Sequence, residues 1–221
     1  MNRILAYAAV VSALLMPMYP LNASQLATYR GFQLNDGLAS IAPHMGASPE
    51  DADVLHSRPA LIQELTWRAE PSESVSQVVF EFYNSELFRM VVSYDRARTD
   101  GLTPADIIEA VSENYGLAAF PSADLSLSTI YNSSESVRVL ARWEDADWSF
   151  NLVRSKYQSA FFLVALSKLR SPLAEKAMAE ASRLDREEAP QRELDRQHVE
   201  RERRQLEKER ARVENKPTFQ P

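Results

Sequence analysis

The sequence has no cysteine among its 221 residues. No disulfide can hold the fold, and no thiol can serve as nucleophile or metal ligand. Histidine is scarce, with three residues, and none stands in a His-Glu-x-x-His pair. A Gly-x-Ser-x-Gly elbow and a phosphate-binding loop are also missing. An excess of positive charge is lacking too: 25 Lys and Arg stand against 31 Asp and Glu, a net charge of −6. That balance argues against nucleic-acid binding through a basic surface. These absences assign no catalytic, cofactor-binding or metal-binding residue, and they point away from an enzyme.

What is present begins with an address. Arg3 is a short positive region, and Ile4–Met16 is an apolar run of 13 residues broken by one serine. Pro17 and Pro20 end the run, and Leu21-Asn22-Ala23 can serve as a small-residue cleavage site, with the cut after Ala23 or Ser24. This is the pattern of a secretory signal over residues 1–23, and the run is too short to span a bilayer comfortably. The mature protein is expected to be periplasmic or secreted, with no stable membrane insertion after cleavage.

Hydrophobic residues make up 45% of the chain, enough for one ordinary core or two small ones sharing a sheet. Residues 24–168 read as an α+β core domain built on an antiparallel sheet. Tyr29–Leu34 is a short strand or an extended lead-in. Leu38, Ile41 and Met45 have helical spacing, Gly46 suits the C-terminal cap, and Pro43 keeps the helix short, kinked or late-starting. Ala47–Pro59 reads as an acidic loop and Leu61–Ala69 as a strand. Val75–Tyr94 reads as a hairpin, two β-branched and aromatic runs around Asn84-Ser85-Glu86.

Two registers are open for that hairpin. An odd loop centred on Asn84 sets Phe80 opposite Phe88 and gives one apolar face of Val78, Phe80, Phe82, Phe88, Met90 and Val92. A two-residue turn at Asn84-Ser85 suits asparagine but mixes Arg89 and Glu81 into that face. Face purity favours the odd loop.

Asp95–Leu102 is a polar connection. Thr103-Pro104-Ala105-Asp106 starts a helix that carries Ile107, Ile108, Val111 and Tyr115 on one stripe and ends at Gly116. A strand is expected over Leu125–Tyr131. Val137–Arg154 reads as a second hairpin, with Trp143 set opposite Trp148 and one apolar face of Val137, Val139, Ala141, Trp143, Trp148, Phe150 and Leu152. Ala160–Ser167 is apolar on both faces, as a central strand would be.

Ser171-Pro172, with Ser171 as cap and Pro172 at the first helical position, opens a helical tail over residues 171–214. Leu173, Ala177, Ala181 and Leu184 share a face that can pack on the core. Residues 183–216 carry 11 basic and 10 acidic residues, so the acidity belongs to residues 24–182, with 13 basic and 21 acidic. Opposite charges at helical spacing contribute about 0.2–0.5 kcal/mol per pair, enough in number to hold an exposed helix. Val199, Leu206 and Val213 stand seven apart, and three apolar positions on one strip make a poor coiled-coil seam, so a solvated, partly frayed helix ending at Asn215-Lys216-Pro217 is expected.

The helix positions Leu38/Ile108, Ile41/Val111 and Met45/Tyr115 coincide at an offset of 70 residues. The hairpins match near 61, Phe82 against Trp143 and Leu87 against Trp148. A tandem helix-plus-strands duplication over residues 29–95 and 103–168 is one reading of this, and chance is the other. The segment Leu34–Pro49, with Gly37-Leu38, Ile41, Met45-Gly46 and Pro49 ahead of strands, resembles the opening motif of small exported helix–sheet modules of the SmpA/OmlA type. Two such modules in tandem resemble the β-lactamase inhibitory protein arrangement. The resemblance implies binding of other proteins by the sheet or its loops, and it carries over no functional residue. The chain as a whole also resembles uncharacterised exported bacterial proteins with a charged C-terminal helix.

Individual candidates weigh little. Glu144, Asp145 and Asp147 put three carboxylates in one turn, but without the order of a calcium loop they read as a solvated tip. Trp143, Trp148 and Trp67 could stack on a ligand, and cross-strand aromatics more often fill a core. His44 and His56 have no paired histidine or nucleophile nearby. Asn132-Ser133-Ser134 is a glycosylation sequon, relevant only in a eukaryotic secretory pathway. The expectation is an exported, non-enzymatic protein-binding module with a partner in the envelope or outside the cell and no cofactor. The alternatives are a small-ligand carrier with a pocket between helix and sheet, or an envelope enzyme with unidentified acidic residues. The tail is a docking arm or a solubilising spacer.

Overall fold

The computed structural model describes residues 25–70, 73–121, 124–126, 136–154, 160–218 and 220. The expected signal peptide, the sequon at Asn132 and residues 127–131 of the expected strand lie outside the described residues.

A small hairpin, β1 (Thr28–Tyr29) and β2 (Phe32–Gln33), leads into α1 (Leu38–His44). Strands β3 (Asp53–His56), β4 (Ile62–Arg68), β5 (Val75–Tyr83) and β6 (Glu86–Tyr94) follow. A short α2 (Arg96–Thr99) and α3 (Pro104–Tyr115) come next. The core closes with β7 (Asp124–Ser126), β8 (Ser136–Glu144), β9 (Trp148–Arg154) and β10 (Phe161–Ser167), and the chain runs into α4 (Ser171–Asn215). Where an acidic loop was expected after α1, a capped 3-10 turn at Pro49–Asp51 and the edge strand β3 form instead.

Eight strands make one antiparallel sheet in the order β3-β4-β5-β6-β10-β9-β8-β7. The order α1-β3-β4-β5-β6 is repeated as α3-β7-β8-β9-β10, with the two last strands side by side at the centre. The strand that is apolar on both faces, β10, takes that central place. By topology β8–β9 corresponds to β4–β5. The sequence match of β5–β6 with β8–β9 is therefore one strand out of step.

The β5–β6 hairpin departs from the favoured register. Its turn is the tight one, with Asn84 at φ +49° and Ser85 at φ +68°, and Tyr83 faces Glu86 and Phe82 faces Leu87. A bulge then leaves Phe88 unpaired, and from there Glu81 faces Arg89, Phe80 faces Met90 and Val78 faces Val92. One added residue thus restores an apolar face, with Leu87 in the place expected for Phe88, and turns Phe88 to the other side. The β8–β9 hairpin is bulged too, with the opposite result, and Trp143 does not face Trp148, the partner expected for it. Trp143 faces Phe150 and Ala141 faces Leu152. A bulge at Leu140 sends Val137 and Val139 to the opposite face.

The main core fills one face of the sheet. Phe80, Phe82, Met90, Trp143, Trp148, Phe150 and Leu163 meet Leu38, Ile41 and Ala42 of α1 and Ile107 and Val111 of α3. Each large side chain removed from water contributes about 1.5–3 kcal/mol. α3 begins as its sequence requires: the Thr103 N–H donates to Asp106 Oδ2 at 2.7 Å and the Asp106 N–H to Thr103 Oγ1 at 3.3 Å. The hairpins were expected to bury one face only, yet the second face is also buried, through Val79, Val91, Val153, Phe162 and Val164.

The base of α4 packs on this second face, where Ala174 and Met178 meet Ile62, Phe88 and Tyr83. Ser171 does not cap the helix. It is the first helical residue, and its hydroxyl donates to the Phe88 carbonyl at 2.9 Å.

The tip of β5–β6 also seats α1. The Leu38 N–H donates to the Ser85 carbonyl at 2.8 Å, and Gly37 bridges to Glu86. A Cβ on Gly37 would stand 2.8 Å from that same backbone oxygen. Gly37 has an ordinary φ of −89°, so space and not backbone freedom demands glycine. Gly37→Ala should cost about 1–3 kcal/mol in urea unfolding. An unchanged midpoint would show that α1 is not seated on the turn.

Candidate functional site

Two features of the second face could carry function: a charged row across the strands, and the helix that leaves over the sheet edge.

The row follows from register. Asp53 of β3 faces Glu64, Glu64 faces Glu81, and Glu81 faces Arg89. Directly paired residues share a face, so three carboxylates and one guanidinium line up over four strands. Glu81 and Arg89 form an ion pair whose side chains are 0% and 5% exposed, and Arg89 also lies 5.5 Å from the centre of the Phe88 ring. Burial pushes the Glu81 carboxyl well above the usual carboxylate range; Arg89 opposes this without cancelling it, and Glu64 adds to it. Glu64 is raised in the same way, by burial and then by Asp53. A carboxyl poised like this suits proton transfer, but Glu81 is closed off from solvent. Its geometry fits another task, pinning β5 to β6 in the bulged register. On β9, Asn151 is also buried, accepting from Arg142 Nε at 2.7 Å and donating to the Val164 carbonyl at 3.3 Å.

The residues singled out in the sequence fall elsewhere. Trp143 and Trp148 are core. The Trp143 indole N–H donates to the Gly116 carbonyl at 3.0 Å, and that of Trp148 to Asn35 Oδ1 at 3.1 Å. Trp67 is half-buried against Phe32, ring centres 6.0 Å apart. Two of the three carboxylates of the β8–β9 turn, those of Glu144 and Asp145, are engaged by the protein. Asp145 Oδ1 accepts from the Asp147 and Trp148 N–H groups, each at 2.8 Å. Glu144 pairs with Lys168 at 3.1 Å, and the Lys168 ammonium also donates to the Asp145 carbonyl at 2.6 Å. His44 ends α1 with Nδ1 3.3 Å from the Ser40 carbonyl, and His56 ends the edge strand β3. No group of three or more His, Asp or Glu among the described residues is arranged to hold a metal.

α4 is a single helix of 45 residues. Its buried positions are Ser171, Ala174, Ala177 and Ala181, and its ion pair to the core joins Glu188 to Arg58 of the β3–β4 connection. Pro190 follows at once. Lacking an N–H, it cannot bond the Arg186 carbonyl, so the ladder loses a rung where the docked part ends. Beyond it the helix is held by its own charges: Arg203 reaches Glu200 at 3.3 Å and Glu207 at 3.6 Å, and Arg204 reaches Glu200 at 3.0 Å. Val199, Leu206 and Val213 stay 64%, 64% and 66% exposed. The sequence showed the change of character near Arg183. It also held the signal for the boundary, Pro190 inside a run of helix formers, which sequence reasoning left unused. No helix among the described residues is long and apolar enough to cross a membrane.

Two outcomes are expected from the charged row. Arg89→Met leaves Glu81 buried without its partner and should cost about 3–5 kcal/mol at neutral pH, whereas Glu81→Leu with Arg89→Met should recover most of that loss. A double variant as unstable as the single one would show that the pair does more than offset its own burial. The pH dependence has a definite sign. Glu81 holds its proton more tightly folded than unfolded, so its contribution is full below the ordinary glutamate pKa of about 4.3 and is lost as pH rises through the raised value. The stability of the native chain relative to Glu81→Gln, from urea midpoints, should therefore fall as pH rises. A constant or rising difference would contradict the assignment.

No protein-family model matches the chain, and no curated protein or solved structure matches it either.

Proposed function

We propose that this protein is an exported, non-enzymatic protein-binding module whose core anchors one end of α4 and offers the rest as the interaction arm. One observation carries the reading. The base of α4 is buried as far as Ala181 and tied to the core at Glu188, while the helix continues to Asn215 with Leu194, Val199, Leu206 and Val213 exposed. Scattered exposed apolar residues are ordinary. Apolar residues repeating along one line of a projecting helix favour contact with another protein.

Export is supported by the N-terminal pattern of Arg3, the apolar Ile4–Met16 and the prolines that follow. The twice-used helix-plus-four-strand plan fits the resemblance to tandem modules that bind proteins. The carrier reading finds less support, since Trp143, Phe150 and Tyr115 fill the space between α3 and the sheet. For the enzyme reading, the carboxyl best tuned for proton transfer, Glu81, is sealed from substrate.

The test compares the full chain with a chain ending at Ala189, which keeps every described contact of α4 with the core. Immobilised on a resin, the full chain should retain a protein from an extract of its native envelope or extracellular fraction, and the shortened chain should lose it. Equal capture by both would make the arm a spacer, and capture by neither would remove the binding reading.

A further inference from the structure

The exposed part of α4 carries an internal repeat of seven residues. Asp195-Arg196, Glu202-Arg203 and Glu209-Arg210 are the same step three times. Val199, Leu206 and Val213 follow each pair at the same distance. In a helix a seven-residue period lays each type of residue in its own row. The apolar row runs down the middle. Glu202 and Glu209 stand three residues after Val199 and Leu206, and Arg203 and Arg210 stand four after. Three and four residues from a seam position lie roughly 50° to either side of it when seven residues make two turns. The seam is therefore flanked by an acidic row on one side and an arginine row on the other.

From these rows we infer that the seam receives one α-helix of another protein. That helix carries an apolar residue every seventh position, acids facing Arg196, Arg203 and Arg210, and bases facing the acidic row. The inference rests on the reading of α4 as an interaction arm and names the chemistry of its partner. Charge complementarity sets the pattern: a parallel helix with this same layout brings its acidic flank against the arginine flank and its arginine flank against the acidic one. An antiparallel copy would bring like flanks together.

A second copy of the full chain is not the occupant. Ala181 lies eighteen residues before Val199, about five turns, so the seam continues the line of α4 that docks on the sheet. A parallel copy would have to run its own docked base through the space the first core fills. A partner helix free of such a core meets no obstacle. The row charges are paired within the helix, Arg196 with Glu193, Arg203 with Glu200 and Glu207, and Glu209 with Arg212; these pairs are exposed, so a partner helix exchanges them for pairs of its own, and the apolar row stays open.

The chain's own segment, as a synthetic peptide of residues 191–216, is a helix of the required layout without a core, and it serves as the probe. Labelled, it should bind the full chain in fluorescence anisotropy and not bind a chain ending at Ala189. Val199→Asp with Leu206→Asp and Val213→Asp in the chain should weaken binding at least tenfold. So should Arg196→Glu with Arg203→Glu and Arg210→Glu. The arginine variant should recover affinity for a peptide carrying Asp195→Arg, Glu202→Arg and Glu209→Arg, a rescue that loss of helix could not mimic. Absence of binding to the full chain, equal binding to the shortened chain, failure of the rescue, or dimerisation of the full chain through the seam would each overturn the assignment. If the peptide fails while the full chain still captures a partner that the shortened chain loses, the arm stands and only its partner's chemistry is wrong.

Discussion

Phe88 has no partner on β5, and three consequences follow from that one extra residue. The turn at Asn84-Ser85 can be tight while Phe80, Met90, Val78 and Val92 still share the core face. Glu81 comes directly opposite Arg89, so a charge taken out of water meets its counter-charge. Phe88 itself is turned to the second face, where it meets Ala174 and its carbonyl receives the Ser171 hydroxyl. The attachment of α4 is thus a consequence of hairpin register. A one-residue slip would turn the side chains of one strand over relative to its neighbour, and the ion pair makes that slip costly because it would leave Glu81 buried and unpaired.

The sheet built around this hairpin is two helix-plus-four-strand units joined through β6 and β10. α1 and α3 cover one face, and α4 crosses part of the other. Both faces of the central strands are buried. Glu81 is tuned but sealed, Glu64 is raised and only partly buried, and at the β8–β9 turn Glu144 is spent on Lys168 and Asp145 on turn N–H groups. What projects beyond this core is α4, with Leu194, Val199, Leu206 and Val213 exposed along it.

Much of this was legible in the sequence. Strands β4, β5, β6, β8, β9 and β10, the capped start of α3, the centrality of Ala160–Ser167 and the burial of Trp143 and Trp148 followed from alternation and cap chemistry, which act locally, whereas β3 formed where an acidic loop was expected. The hairpin register was not legible, for a definite reason. Asparagine pointed to a tight turn and face purity to an odd loop, and both arguments were sound. They conflicted only because uninterrupted pairing was assumed, and Phe88, being apolar, suits either face and gives no sign of a bulge. Leu140 hid the second bulge in the same way. The row Asp53, Glu64, Glu81 and Arg89 depends on three successive registers, so an error in any one of them scatters it. Ser171 looked like a cap because Ser-Pro usually is one; the nearby Phe88 carbonyl, distant in sequence, claimed its hydroxyl.

The central claim is that α4 has two parts, a base held by the bulged hairpin and an arm beyond Pro190 held only by its own charges. Amide hydrogen exchange of the full chain tests this most directly, because protection reports the free energy of local opening. Amides of residues 174–188 should exchange as slowly as the neighbouring strands β5 and β6, and those of residues 194–215 should exchange orders of magnitude faster, with the change falling at Pro190. Uniform protection along α4, or a base that exchanges as fast as the arm, would contradict the account.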